Sequence, residues 1–212
     1  MCAHRTFDDQ AIRWLERVYR TPAIVRTRLE VLRALSLRRG ERALDLGCGP
    51  GFLLFDMAAT VTEDGRAVGL DNSAPALEGA RRRLQEFPWV QLLEGDCHDL
   101  QLDDASFDAA AAVQVFEYLA DIDRALLELH RVLAPGGRAA IMSTDKGGIV
   151  WWSRDDQARM DRMLRVYHEQ GTDPHVPRAL AARLRRAGFQ VLQVEAIPIL
   201  ETDYTPHWED RT

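Results

Sequence analysis

Three glycines at alternate positions, Gly47, Gly49 and Gly51, follow a short apolar run (residues 42–46) and lead straight into a helical pattern that starts at Phe52. Glycine is needed where backbone turns sharply or approaches a ligand closely. Strand, glycine turn and helix in that order make a nucleotide-type site at the carboxyl edge of a parallel sheet. The dinucleotide form of this site requires GxGxxG, and position 52 carries Phe in place of the third glycine. Pro50 and Phe52 also crowd the helix N-terminus, whose N–H groups a pyrophosphate needs. The pattern favours a nucleotide-like ligand without phosphate and argues against a nicotinamide-dependent dehydrogenase.

The elements that must hold this turn follow from hydrophobic periodicity. Residues 7–36 carry two helical faces separated by Pro22: Trp14, Leu15, Val18 and Tyr19 on one, Val25, Leu29, Leu32 and Leu35 on the other. A second strand at 67–70 ends at Asp71, and a helix over about 74–86 has Ser73 as N-cap. A third strand at 90–94 ends at Gly95-Asp96, and an alanine-rich fourth covers 107–113. The helix after Asp121 places Ile122, Leu126, Leu129 and Leu133 inward, Pro135-Gly136-Gly137 ends it, and 138–143 is a fifth strand. Residues 147–170 are helical in pattern (Met160, Met163, Leu164, Tyr167). Pro177 opens a last helix that Gly188 closes, and 189–197 predicts a sixth strand. Strands alternating with helices imply a parallel sheet covered on both faces.

A length of 212 residues suits one domain with a small lid. The expected division is an N-terminal helical lid (1–39), a core (40–200) with a helical insertion (147–176), and a polar tail (201–212). The net charge of −6 would repel phosphates, which excludes nucleic acid as a main partner. Lys146 is the only lysine, and the arginine excess reads as codon bias of a GC-rich bacterial genome. Cys2, Cys48 and Cys97 form neither a zinc spacing nor a disulfide framework, so no metal is expected and a reducing cytoplasm fits. The N-terminus has no apolar signal region, and the run near 109–116 is too short to span a bilayer.

The stretch from Ala43 to Phe52 resembles motif I of the class I S-adenosylmethionine-dependent methyltransferases. The resemblance continues through residues 68–77, at Gly95-Asp96, from Phe107-Asp108 through 115–119, at 129–137 and at 184–189. The subgroup looks like the small-molecule enzymes of ubiquinone and menaquinone biosynthesis. The resemblance implies an α/β, Rossmann-like, doubly wound, mostly parallel sheet, with S-adenosyl-L-methionine as cofactor and S-adenosyl-L-homocysteine as product. It implies roles residue by residue. Asp45 would face the methionine amino group, and Gly47, Cys48, Gly49 and Gly51 would lay backbone against methionine and ribose. Asp71 would accept the ribose hydroxyls, and Asn72 would flank the adenine. Asp96 would accept the adenine amino group, with a turn cap as its alternative, and the N–H of Cys97 would reach a ring nitrogen. Backbone near Val113 would bind the cofactor amino group, with Gln114 and Tyr118 either lining the pocket near the sulfonium or packing. Both thiols read as fillers.

The cofactor carries the activated carbon, so such a protein chiefly positions and desolvates. A base is needed only where the acceptor must lose a proton. The candidates are His175, Tyr19 and His168, each with an ordinary packing or surface alternative. Trp151 and Trp152, with Tyr19, Gln114 and His175, are the candidate acceptor pocket, and packing of the insertion explains the Trp pair equally well. The acceptor is expected to be a small molecule. A non-catalytic relative that binds the cofactor as a partner or regulatory subunit is the competing reading, and a protein or nucleic-acid methyltransferase lacks its Asn/Asp-Pro-Pro-aromatic motif, since Val113-Gln-Val-Phe116 stands there. The family's antiparallel seventh strand has no apolar run left to form it. That leaves a chain stopping short of it, a strand borrowed within a homodimer, or an open edge.

Overall fold

A computed structural model describes residues 9–168, 173 and 175–200. The expected tail (201–212), residues 1–8 of the lid with Cys2, and the parts of the insertion at 169–172 and 174 lie outside the described residues. The chain runs α1 (Asp9–Val18), α2 (Pro22–Leu35), β1 (Arg42–Leu46), α3 (Phe52–Val61), β2 (Arg66–Asp71), α4 (Ala74–Arg83), β3 (Val90–Glu94), β4 (Phe107–Val113), α5 (Ile122–Val132), β5 (Leu133–Met142), α6 (Gln157–His168) and α7 (Val176–Arg186). One-turn 3-10 segments stand at Phe116–Tyr118 and Lys146–Gly148. The strands are all parallel, in the order β3-β2-β1-β4-β5. Winding reverses between β1 and β4, so the carboxyl ends of these two strands open onto the crevice where such sheets take ligands.

Both faces of the sheet are buried, and they differ in side-chain size. Ala43, Ala67, Ala109 and Ala111 belong to the core shared with α2, α3 and α4. Leu44, Leu46, Val68 and Leu70 belong to the core shared with α5 and α7. The small residues let α3 lie close to the strands after the glycine turn. At Gly69 a Cβ would stand 2.4 Å from Leu54 Cδ2 and 2.9 Å from the Cys48 sulfur. Leu54, Met57, Leu126 and Leu129 are fully buried, each contributing about 1.5–3 kcal/mol of transfer free energy.

α2 buries Val31 and Leu35 in the sheet's core, and Arg138 of β5 ties its end down by donating to the Ser36 carbonyl at 2.8 Å while pairing with Glu41 at 2.6 Å. α1 lies instead against α4, where Glu16 pairs with Arg83 at 3.2 Å.

Three boundaries differ from the sequence reading. α4 stops at Arg83, short of residue 86. Pro135-Gly136-Gly137 does not end α5; the helix ends at Val132, β5 is already extended at Leu133, and the Pro-Gly-Gly segment is taken up in a register shift between the Phe107–Leu133 and Ala109–Arg138 pairs. Pro lacks an N–H, so a bulge on an edge strand is where it costs no ladder bond. The sixth strand is a correction: 189–200 forms no strand among the described residues, and Leu192 and Val194 are 82% and 73% exposed. Its apolar alternation gives it strand propensity, but ladder bonds decide strand formation, and the segment makes none with β5. No helix among the described residues is long and apolar enough to cross a membrane.

Candidate functional site

The glycine turn is fastened to the end of β2. Gly47 and Cys48 donate their N–H groups to the Leu70 carbonyl at 2.7 and 3.0 Å. The Asp71 carboxylate accepts from the Gly49 N–H at 2.8 Å and the Ser73 N–H at 2.9 Å. All three glycines of the turn have positive φ, which other residues adopt only at a cost. They do different work. A Cβ on Gly47 would stand 2.4 Å from Val115 Cγ2, and one on Gly51 would meet Ala80 and Leu84 at 3.0 to 3.2 Å, whereas one on Gly49 meets nothing within 4 Å. Gly47 and Gly51 permit packing; Gly49 leaves a cradle.

Asp45 lies beneath this turn. Its register partners on the neighbouring strands are Gly69 and Ala111, both small enough to leave it room. It is 2% exposed, and its Oδ2 accepts no hydrogen bond among the described residues. Burial, with the nearby Asp71 charge, pushes its carboxyl up to about 8 against the pull of a Leu54 N–H. Burial raises Asp71 too, and the N–H groups of Ser73, Gly49 and Asn72 restrain it. A buried carboxyl with one oxygen unsatisfied is costly unless a donor completes it. An ammonium next to an open glycine cradle does so, and the residues present therefore fit the methionine end of S-adenosylmethionine.

Of the residues expected to flank an adenine, Asn72 is exposed, and Asp96 Oδ1 takes the His98 N–H at 2.9 Å and its Nδ1 at 2.6 Å. Cys48 and Cys97 are buried thiols without disulfide. Burial pushes Cys97 up to about 12 and Cys48 well above its ordinary value, so neither is a thiolate nucleophile near neutral pH.

β4 and β5 form the opposite wall. Val113 ends β4, and Gln114 sits at φ +57 with its N–H on the Met142 carbonyl at 2.8 Å and its side-chain amide on Thr144 Oγ1 at 2.6 Å. Backbone held in this sparsely populated region gathers at functional sites. Tyr19, between α1 and α2, packs on the first residue of α3. Its ring meets Phe52 edge-on at 5.5 Å, and Arg83 stacks over Phe52 at 3.5 Å. Burial raises the Tyr19 phenol strongly, and Tyr118, Asp71, Asp45 and Glu117 raise it further. Tyr19 is thus kept neutral, a hydroxyl donor and not a phenolate base.

The histidine candidates are engaged elsewhere. His168 Nε2 lies 2.7 Å from the Lys146 carbonyl, so that nitrogen carries the hydrogen. His175 rests on the 146–148 turn, its ring filling the space a Gly147 Cβ would need, with Nδ1 3.6 Å from Asp145. Trp151 packs on Tyr167 with centroids 5.5 Å apart, while Trp152 is 73% exposed.

Sequence reasoning missed three residues here. Glu117 is buried, its Oε2 accepting from Ser143 Oγ at 2.8 Å. Lys146 is 3% exposed, its Nζ 5.2 Å from the Tyr118 ring and 5.4 Å from the Tyr167 ring. Tyr167 was legible only as a helical apolar position. The one available signal was that Lys146 is the single lysine, which composition alone does not connect to a site.

The family described as "Methyltransferase domain" matches residues 44–141. A 2-phytyl-1,4-naphtoquinone methyltransferase of Thermosynechococcus vestitus is 40% identical over 187 residues, covering 78% of this chain and 79% of that protein. A 37.1 kDa protein in transposon TN4556 of Streptomyces fradiae is 38% identical over 193 residues, covering 89% of this chain and 54% of that protein. The chain spans about half the length of most curated relatives it matches. Among solved structures, a SAM-dependent methyltransferase from Aquifex aeolicus superposes with a TM-score of 0.67 at 23% identity, over 89% of this chain and 92% of that one, which shows a shared fold. With the parallel sheet, the glycine turn and a relative matched across most of its length, the chain belongs to the class I S-adenosylmethionine-dependent methyltransferases.

Proposed function

We propose that this chain methylates a small, flat acceptor of quinol type in the cytoplasm. The observation that carries the cofactor half is the buried, uncompleted Asp45 oxygen beside the open cradle at Gly49. The acceptor half is supported by the relative named as a naphthoquinone methyltransferase and by the aromatic rings of Tyr118, Tyr167 and Trp151 on the β4–β5 side. S-adenosylmethionine supplies a methyl group activated on a sulfonium sulfur.

The chain's own part is binding, alignment and exclusion of water. Asp45 holds the ammonium, and Gly47, Cys48, Gly49 and Gly51 lay backbone along the methionine and ribose. Asp71 accepts the ribose hydroxyls. Asn72, Asp96 and the Cys97 N–H flank the adenine, and backbone at Val113 and Gln114 completes the amino-acid end. Tyr19 and Tyr118 cover the reacting centre. Alignment of two bound reactants alone is worth roughly 7–11 kcal/mol.

Calorimetry with S-adenosylmethionine, S-adenosylhomocysteine and NAD, then radiolabelled methyl transfer to a panel of quinols, phenols and amines, tests this reading. Binding of both sulfur compounds but not NAD, and label in the quinols, is the expected result. Silence toward both sulfur compounds would overturn it.

Asp45 gives a second readout. With its carboxyl raised to about 8, it is mostly protonated at pH 7. An incoming ammonium favours the carboxylate, so binding of S-adenosylhomocysteine should release close to one proton at pH 7 and almost none above about pH 9. Titrations in buffers of different ionisation enthalpy measure this, and Asp45→Asn should abolish the release. The unliganded protein carries the complementary signature. A carboxyl whose folded value is raised contributes stability fully present below about pH 4 and lost as pH rises through about 8. Relative to Asp45→Asn, the parent should therefore lose thermal stability across that window. Identical binding heats in every buffer would remove Asp45 as the ammonium's partner.

A further inference from the structure

The carboxyl end of β5 holds a group that cofactor binding does not use. Lys146 is 3% exposed, and the rings of Tyr118 and Tyr167 stand 5.2 and 5.4 Å from its ammonium. Two further contacts fix the turn that carries it. The His168 ring at the end of α6 bonds its carbonyl at 2.7 Å, and the His175 ring at the start of α7 rests on Gly147. Lys146 is thus the point where the insertion, the last helix and the sheet edge meet.

Resting on the methyl-transfer reading above, we infer that Lys146 determines acceptor specificity: its ammonium, clasped between Tyr118 and Tyr167, receives an ionised oxygen of a flat acceptor ring.

Four observations support it. The position is continuous with the cofactor side, because Tyr19 feels the charges of Asp45 and Asp71 on one hand and of Glu117 and Tyr118 on the other. Gln114, at the end of β4, reaches across to Thr144, two residues before Lys146. The walls are aromatic, since Trp151 tilts against Tyr167 at 44°, and suit a planar ring. Burial raises the neighbouring Glu117 carboxyl, while the Ser143 hydroxyl and the Lys146 charge pull it down. A desolvated ammonium attracts an anionic oxygen far more strongly than it would in water. Finally, every other one of the 27 basic residues is arginine. A compact point charge on a flexible stem fits between two ring faces and turns toward a ligand, which a planar guanidinium fork does less well.

The test uses protein saturated with S-adenosylhomocysteine and two probes with the same ring system. These are 2-hydroxy-1,4-naphthoquinone, ionised at neutral pH, and 2-methyl-1,4-naphthoquinone, which carries no charge. Calorimetry should show the ionised probe binding about tenfold or more tighter. Lys146→Met should erase that preference, and Lys146→Arg should keep part of it. Tyr167→Leu, which retains the lysine and loosens its clasp, should lower it several-fold. S-adenosylhomocysteine affinity should stay at the parent value in all three, which a lysine that merely held the fold of the cofactor side would not allow. Equal binding of the two probes by the parent, or an undiminished preference in Lys146→Met, overturns the inference. Should Lys146→Met not fold, the Lys146→Arg and Tyr167→Leu results decide it. Loss of S-adenosylhomocysteine binding in the parent would instead overturn the proposed function and is read separately.

Discussion

Asp71→Ala is expected to weaken S-adenosylhomocysteine binding by about 100-fold or more. Hydrogen bonds to a charged group contribute about 1.5–3 kcal/mol each, and every 1.4 kcal/mol is about tenfold in affinity. In the proposed binding mode, two ribose hydroxyls on one carboxylate reach that loss without any change of fold. The same side chain braces the turn, because it accepts from the N–H groups of Gly49 and Ser73 at 2.8 and 2.9 Å. Removing it therefore also leaves the Gly49 N–H without its acceptor and loosens the cradle. Asp71→Asn separates the two roles: its carbonyl can still receive one N–H, while the charge is gone, so the turn should hold and affinity should fall about tenfold. The Asp45 carboxyl is pushed up partly by the Asp71 charge, and it should titrate lower in Asp71→Asn, diminishing the proton released on binding at pH 7. Calorimetry and thermal denaturation on the two variants check all of this. A loss below threefold in Asp71→Ala would remove Asp71 from the ribose site.

Gly47→Ala and Gly49→Ala should fail in opposite ways, although the residues are two apart and both have positive φ. At Gly47 the new methyl would stand 2.4 Å from Val115 Cγ2 and 3.4 Å from its Cγ1. Val115 is itself buried, so something must shift. Left-handed backbone costs a residue with a Cβ about 1–2 kcal/mol, and overpacking adds about 1–3 kcal/mol. Gly47→Ala should thus lose about 2–5 kcal/mol of stability in urea or thermal unfolding. At Gly49 the methyl meets nothing within 4 Å, so only the backbone term of about 1–2 kcal/mol applies and the protein should fold. The methyl would instead stand in the cradle, and cofactor affinity should drop about tenfold or more, since an extra methyl in a close contact costs about 1–3 kcal/mol and about 1.4 kcal/mol is tenfold. Equal stability of the two variants, or parent-like affinity in Gly49→Ala, would refute this division of labour.

The division shows how far the sequence reads. Gly47, Gly49 and Gly51 announced a turn between a strand and a helix, and Phe52 in place of a third glycine argued against a dinucleotide. Both follow from local backbone sterics, which neighbouring residues alone dictate. Which glycine serves packing and which serves a ligand did not follow, because Val115, Ala80 and Leu84, the residues that decide it, come from elements brought in by folding. The first four strands were legible for the same local reason, each a short apolar run between breakers, and β5 only from Arg138 on, because its Pro-Gly-Gly reads locally as a breaker. The sixth was not, because a strand needs a ladder partner as well as alternation, and residues 189–200 find none among the described residues.

The carboxylates divide the same way. Their places at strand ends could be read directly, and the family resemblance implied their ligands. That Asp45 is buried with an oxygen uncompleted, while Asp71 is turned onto the Gly49 and Ser73 N–H groups, depended on the register of β1 against Gly69 and Ala111. On the acceptor side the sequence offered aromatic pairs and loop histidines, and one lysine that looked like codon bias. Sequence by itself determined the fold class and the cofactor turn, whose signals lie within a few residues of each other. Only the tertiary structure assembled Tyr118, Lys146 and Tyr167, from the end of β4, the end of β5 and the insertion's helix. No local pattern records a contact between side chains that far apart in the chain.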